Sequence, residues 1–550
     1  MSRTIYYSSE SISALDERGG FFFPSEKLVW TLFQQVFMSV TTREVNGHNA
    51  EDSHLVYKKH QSTCLSSVVF TDLAAVYWLA DAEAIKEVSI NVGTTFDKDM
   101  SVYKKGMGPG INFLGENIVG SNGRTWRRHR ALVNPGFNEA NNALVWHQTS
   151  QIVEEWSRAI DASTKDGSYE MNAFEELKQL TLRTFMSTTF GMRSRWDHVE
   201  TDINETSDIT SIFATTERYI IPKVLLPEWA YRLFEAVHVP LVSPWLSMTK
   251  KVFDYLNQQL IETISSSRAD LLEAQTKDAE SMDGVLLRSL ISANMAVEGD
   301  DIGSSNRGLT DEELMSNLFI LLLAGHETTA HTLSLALSLL ALYPDAQRRV
   351  YDEVCQVWPR DLPPATELPE SDHKAVISKL TYTNAVVHET IRHFPAVSRL
   401  GREVIQDTVI KARRFRKAGA GAKYETESFT VPLRKGDKVL IDIPGLHANP
   451  LYWGDDAEEF NPEKFIDTET YRWPREAFLA FSAGSRSCIG QKFALTEGVC
   501  ALAMLIRRYE FLVPSRLEGK TFEEQKRVML EWRPHATNVP CHSWVRVRRR

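Results

Sequence analysis

One cysteine stands in a setting suited to metal chemistry. Phe481, Gly484, Arg486, Cys488 and Gly490 fall within a single short window, and apolar residues follow at Ile489, Phe493, Ala494, Val499, Leu502 and Ile506. That spacing predicts a helix over 489–509, with Cys488 at its start, where the positive end of the helix dipole favours a thiolate. Arg486 adds a nearby cation. A thiolate is a strong ligand for a soft metal, and Gly484 and Gly490 would let the backbone turn tightly and lie close to a flat cofactor. A buried cysteine with no metal is the plainer alternative, but burial alone requires neither glycines nor an arginine at these offsets.

A second group of polar residues interrupts a long apolar pattern. Thr310 and Glu313 have the spacing of a capping box, and the apolar periodicity runs on to Leu342, where Tyr343 and Pro344 end it. The predicted helix is about 48 Å long at 1.5 Å per residue. Its continuous apolar run, Leu318 to Gly325, is too short to cross a bilayer, so the helix is expected through the middle of the protein. At its centre stand Ala324, Gly325, His326, Glu327, Thr328 and Thr329. Polar groups at such depth are costly unless bonded or used, and small Ala324 and Gly325 would let a ligand or cofactor approach. His326, Glu327 and His331 suggest a zinc-binding helix, but residues five apart lie about 140° apart round the axis and cannot share one zinc. Glu389 and Arg392 stand side by side at i and i+3 on a helix predicted from Tyr382 to Phe394. Trp126 and Arg130, at i and i+4, share a face of another helix.

Taken in order, these residues resemble the cytochrome P-450 family. Phe481, Gly484, Arg486, Cys488 and Gly490 match every fixed position of its haem-binding signature, and Trp126/Arg130, Ala324 to Thr329 and Glu389/Arg392 match its other motifs. The resemblance spans about residues 53–545. It implies a mainly α fold with small β-sheets (α+β) and the long helix passing over the haem. The implied cofactor is haem b, with Cys488 as the axial ligand to iron, pushing electron density toward O–O cleavage. Dioxygen would be the co-substrate, with Thr328 hydrogen-bonding it and Glu327 relaying protons. Trp126, Arg130 and Arg402 would hold the haem propionates, while Ala324, Gly325, Phe481, Gly484, Arg486 and Gly490 would lie against the cofactor. Glu389 and Arg392 would form a buried structural ion pair. Lys464 stands where the family usually has arginine, so the third member of that network is expected to differ. Phe394 to Ser398 would line the substrate pocket.

The implied activity is that of a monooxygenase acting on an apolar small molecule. The sequence carries no dinucleotide-binding fingerprint, so electrons from NADPH would arrive through a separate reductase docking near Arg127, Arg128 or Lys492. A haem-thiolate isomerase or dehydratase, or a non-catalytic haem or ligand carrier, would keep Cys488 as well. Glu327 and Thr328 favour oxygen chemistry over both.

Composition narrows the setting. At 43% hydrophobic and 24% charged the 550 residues describe a folded globular chain. A net charge of −10 argues against nucleic acid as the main partner. Cys64, Cys355, Cys488, Cys500 and Cys541 are few and scattered, which suits a reducing compartment. Residues 1–52 are expected to be an atypical N-terminal segment and 53–550 the haem-thiolate domain, acting as a monomer. Phe21 to Val40 is broken by Pro24, Glu26, Lys27, Gln34 and Gln35, so it would not span a membrane. Leu28, Leu32, Phe33, Val36 and Phe37 share a helical face that could lie on a membrane surface or pack in a core. The expected location is the cytoplasmic face of the endoplasmic reticulum membrane, or the cytoplasm. Lys104 to Gly123 is read as a glycine-rich loop, and 139–275 as long helices broken by an apolar, proline-punctuated region from Ile220 to Trp245. In membrane-associated relatives that region roofs the substrate channel. The basic end, Arg546, Arg548, Arg549 and Arg550, is expected to be solvated.

Overall fold

The computed structural model describes residues 54–68, 75–100, 110–163, 167–193, 196, 213, 215–217, 219–237, 242–277, 285–298, 308–358, 373–417, 419, 424–534 and 537–550. The segment 1–52, the surface helix considered within it, and the first part of the glycine-rich stretch lie outside the described residues.

Adjacent β-rich runs pair as β1 (Cys64–Val68) and β2 (Ala75–Leu79), antiparallel with Cys64 opposite Leu79. Asp81 then caps α1 (Ala82–Ile90), its carboxylate accepting the N–H groups of Glu83 and Ala84. β3 (Phe96–Lys98) is followed by α2 (Gly123–Val133), which carries Trp126 and Arg130, and by α3 (Glu139–Ser163). The helical pattern beyond it is interrupted by β4 (Ser168–Asn172) before α4 (Ala173–Phe185). The apolar proline-punctuated region is itself helical: α5 (Ile220–Leu225), α6 (Glu228–Val237) and the start of α7 (Val242–Lys277). Pro244 falls in the first turn of α7, where a missing N–H costs no helical bond.

The long helix is α8 (Asp311–Leu342), 32 residues, and its capping box is made in both directions. The Glu313 N–H donates to Thr310 Oγ1 at 3.2 Å and the Thr310 N–H donates to Glu313 Oε2 at 3.0 Å. Next come α9 (Thr381–His393), β5 (Arg399–Val404), β6 (Thr408–Lys417), β7 (Tyr424–Leu433) and β8 (Lys438–Asp442). The chain ends with α10 (Gln491–Arg508), β9 (Tyr509–Leu512), the short pair β10 (Trp532–Pro534) and β11 (Asn538–Pro540), and β12 (Trp544–Arg549).

The architecture is mainly α with small separate sheets. α8 lies in the middle, packed by α4, α9 and α10, and Leu177, Leu335, Val386 and Leu502 join these helices, with Trp156 of α3, in one apolar core. Among the described residues one sheet has the order β1-β2-β8-β5-β3, with only β2 and β8 parallel. A second has the order β4-β12-β9. The C-terminal arginines are exposed or partly exposed, as expected of a solvated end, but they belong to an ordered strand. β12 is the centre strand of that sheet, Arg548 and Arg546 pair with Glu510 and Glu518, and Arg550 donates to the Ile506 and Tyr509 carbonyls. The alternation of Val545 and Val547 inward with arginines outward is what the reading missed. Among the described residues, no helix is long and apolar enough to cross a membrane.

Candidate active site

The loop before α10 holds the cysteine. α10 begins at Gln491 with Gly490 as its N-cap, so Cys488 precedes the helix and does not sit in its first turn. Its N–H donates to the Phe481 carbonyl at 2.8 Å, closing the loop, and its sulfur accepts the Gly490 N–H. The side chain is accessible, yet burial raises its thiol above the ordinary range, against the opposing pull of the Gly490 bond and Arg130. The cation beside the sulfur is Arg130, not Arg486 as the sequence suggested. Arg130 donates to the Ser487 carbonyl at 2.9 Å. Arg486 lies 4.1 Å over the Trp126 ring and donates to the Ser121 carbonyl and to Asn122 Oδ1 at 3.0 and 2.6 Å. It ties the loop to the start of α2.

The two glycines have different reasons. Gly484 has φ +68°, and a Cβ there would lie 2.3 Å from the Ser89 carbonyl oxygen at the end of α1. Gly484→Ala is expected to destabilise the protein by about 2–4 kcal/mol, the sum of a left-handed backbone and a clash with rigid main chain. It should also lower the haem-to-protein ratio. A urea midpoint equal to wild type would contradict this. At Gly490 a Cβ would meet only Phe137, at an ordinary 3.7 Å, so the polypeptide itself does not demand glycine there.

Another wall comes from the polar break in α8. Ala324 is exposed and Leu323, Gly325 and Thr328 are half-buried, whereas Leu318–Leu322 and Thr329–Leu342 are buried. Leu323 and Ile489 pack against one apolar cluster together with Trp126, and Phe493 is buried within it. Glu327 is buried beside the open strip, and Thr328 Oγ1 donates to the Ala324 carbonyl at 3.0 Å. Gly325 departs from the expectation: the space its missing Cβ leaves is filled by Phe185, whose ring would be 2.3 Å from such an atom. Its smallness serves the packing of α4 on α8. His326 and His331 point to different partners, Glu217 and the Phe394 carbonyl. Among the described residues no group of three or more His, Cys, Asp or Glu could hold a metal ion.

A cation cluster completes the site. β3 pairs with β5 so that Lys98 stands opposite Arg402, and the buried Arg402 donates to the Gly401 carbonyl at 2.9 Å. Lys98 donates to the Val119 carbonyl at 2.6 Å. Burial, then the positive charges of Arg486 and Arg402, pushes its amine down to about 7. Asp97 lies 3.6 Å from Arg486 and Asp99 3.4 Å from Lys438. The smaller part of that shift, from the two guanidinium groups, marks positive potential that an anion would relieve. Lys98 was missed because a three-residue strand has no local signal. The soft sulfur, the open small-residue strip and these cations fit an iron porphyrin with two carboxylate arms.

The ion pair is buried and forked. Arg392 Nε and Nη2 donate to the two Glu389 oxygens at 2.6 and 2.8 Å. Arg392 Nη1 donates to the carbonyls of His447 and Ala457, both at 2.7 Å. Lys464 takes no part, because it bonds Asp456 and the Trp453 carbonyl. Its place beside Glu389 is taken by the Asn461 N–H at 2.8 Å and by His393 at 3.2 Å. Of the three cations named for docking, Arg128 is engaged inside the chain. The Arg128 guanidinium is bound by Glu313 and the Gly308 carbonyl, so it anchors α2 to α8. Arg127 and Lys492 are exposed.

The family profile described as Cytochrome P-450 matches residues 31–420 and 422–539. The chain is 33% identical over 503 residues to Cytochrome P-450 monooxygenase 124 of Postia placenta, covering 91% of this chain and 88% of that one. It is 26% identical to an 11-oxo-beta-amyrin 30-oxidase of Glycyrrhiza uralensis, over 79% of this chain and 73% of that one. It is 24% identical to Cytochrome P-450 monooxygenase prx9 of Penicillium rubens, over 83% and 77%. With a match along nearly the whole length and a site of this geometry, the chain belongs to the cytochrome P-450 family of haem-thiolate oxidoreductases.

Proposed function

We propose that the protein is a monooxygenase that inserts one atom of dioxygen into an apolar small molecule, with electrons passed from NADPH by a separate reductase. The observation that carries this reading is the buried Glu327 next to the half-open hydroxyl of Thr328 in the open strip of α8. An acid and an alcohol there can bring protons to the site while the surrounding helix keeps bulk water out. Haem, when bound, would supply the dioxygen chemistry, and Cys488 would hold its iron. Lys98, Arg130, Arg402, Arg486 and Trp126 would hold its carboxylate arms. Relatives named as monooxygenases and an oxidase support the same reading.

Trp229, Leu233 and Val237 recur every four residues on α6 and are 55%, 49% and 61% exposed. This apolar face supports contact with a membrane surface, consistent with the cytoplasmic side of the endoplasmic reticulum. The test of the activity uses haem-loaded protein, reductase, NADPH and a panel of fatty acids, terpenoids and aromatics. A product carrying one atom from labelled dioxygen is expected. Thr328→Ala should keep its haem but form product at least about tenfold more slowly, with electrons diverted to hydrogen peroxide. Product formed equally well without dioxygen would establish the isomerase or dehydratase reading instead.

A further inference from the structure

A cavity of about 350 Å³ is enclosed by the C-terminal end of α9, the short helix Ile443–His447, α11 (Phe522–Met529) and Trp532 of β10. The Cys488 loop, the open strip of α8 and the cation cluster contribute nothing to its described lining. Phe394, expected at the substrate pocket, is one of its lining residues. Sites for small molecules are typically about 300–1,000 Å³. The walls combine an apolar side with open polar groups. Phe394, Val528 and Leu530 supply the apolar side. His393 directs Nε2 inward, 2.7 Å from Arg392 Nη2 and 3.2 Å from both Glu389 Oε1 and the Glu459 carbonyl. Its side chain is 13% exposed, and Nδ1 has no hydrogen-bond partner among the described residues. Trp532 packs against the main core, yet its buried indole N–H has no acceptor. Buried donors are nearly always paired, so a donor left open in a residue that lines a cavity marks a place for an acceptor. Lys526 and Arg527 bring positive charge to the lining, and Arg527 is exposed and forms no ion pair among the described residues. The two acids in the lining are engaged elsewhere, Glu458 with Lys58 at 2.9 Å and Glu531 with His542 at 3.6 Å.

We propose that this cavity is a second binding site, for a small apolar carboxylate. The carboxylate accepts from Arg527 and the Trp532 N–H, and the apolar body lies against Phe394, Val528 and Leu530. Such a site is independent of the reaction at the haem. An occupant would also stabilise the fold, because it binds the folded chain and not the unfolded one.

The probe is decanoate, titrated by calorimetry into haem-loaded full-length protein while the haem absorption band is followed in parallel. Binding over the iron perturbs that band, whereas binding in the cavity releases or absorbs heat and leaves the band unchanged. One such silent site per chain is expected, with decanol binding there about tenfold more weakly because it lacks the charge. Arg527→Ala should weaken the silent site about fivefold, the upper range for an exposed ion pair. Val528→Trp, which fills the cavity, should remove it while keeping the wild-type haem band and thermal midpoint. If Val528→Trp lowers the midpoint, Trp532→Phe, which keeps a ring and drops the N–H, is measured in its place and should weaken the silent site about fivefold. A wild type with no silent site would overturn the proposal, and so would a silent site that survives unchanged in these variants. Decanol binding as tightly as decanoate would overturn the carboxylate assignment.

Discussion

Cys488→Ala is expected to abolish the red-shifted carbon-monoxide band of the haem-loaded, reduced protein, and all turnover with it, while leaving the chain folded. The loop does not need the thiol for its shape. It is closed by the Cys488 N–H on the Phe481 carbonyl, by the forced turn at Gly484 and by Arg486 reaching to α2, and alanine preserves all three. The sulfur, in contrast, is accessible, within the field of Arg130, and bonded by the Gly490 N–H. It is placed for a ligand outside the polypeptide. The measurement is the difference spectrum with and without carbon monoxide, beside circular dichroism. A thiolate-type band that survives in the variant would show that another residue binds iron.

Glu389→Gln should have the second largest effect, on stability. It leaves the buried Arg392 guanidinium without its carboxylate, which costs about 3–5 kcal/mol when one partner of a buried pair is removed. Whole-protein stabilities are only about 5–15 kcal/mol, so the variant should unfold at a clearly lower urea concentration. The pair also predicts an acid limb. Burial opposes ionisation of Glu389, but Arg392 and then His393 outweigh it and hold the carboxyl at about 2, below its ordinary 4.5. A group depressed in the folded state contributes stability above the unfolded value, and that contribution is lost as pH falls from 4.5 toward 2. Wild type should therefore lose more stability over that window than Glu389→Gln. Parallel pH profiles would show that the pair contributes nothing to acid sensitivity.

Features held within a few consecutive residues were legible beforehand. The capping box at Thr310 and Glu313, the length of α8, the forked pair at i and i+3 and the glycine at 484 all express local geometry. Each depends on residues one or two helical turns apart, or on one residue's own φ, and short-range sterics decide such features before any packing does. The misreadings share the opposite character. Arg486 was assigned to the sulfur because it is near in sequence, but the loop turns it onto Trp126 and brings Arg130 in from α2. Gly325 was assigned to a cofactor, but α4 lays Phe185 against it. The terminal arginines looked like a tail because nothing nearby pairs with them, and β4 and β9, their neighbours, are distant in sequence.

The order of amino acids by itself determined the kind of chemistry: a cysteine in a glycine-bracketed loop, an acid and an alcohol at the centre of a long helix, and a helix-borne ion pair. Only the tertiary structure decided which charges meet. Lys98 faces Arg402 across β3 and β5, Asn461 stands in for Lys464 at Glu389, and Glu217 joins Lys178 to His326. The physical reason is that a side chain's partners over long sequence distances are chosen by how helices and strands pack, and no local pattern along the chain records that choice.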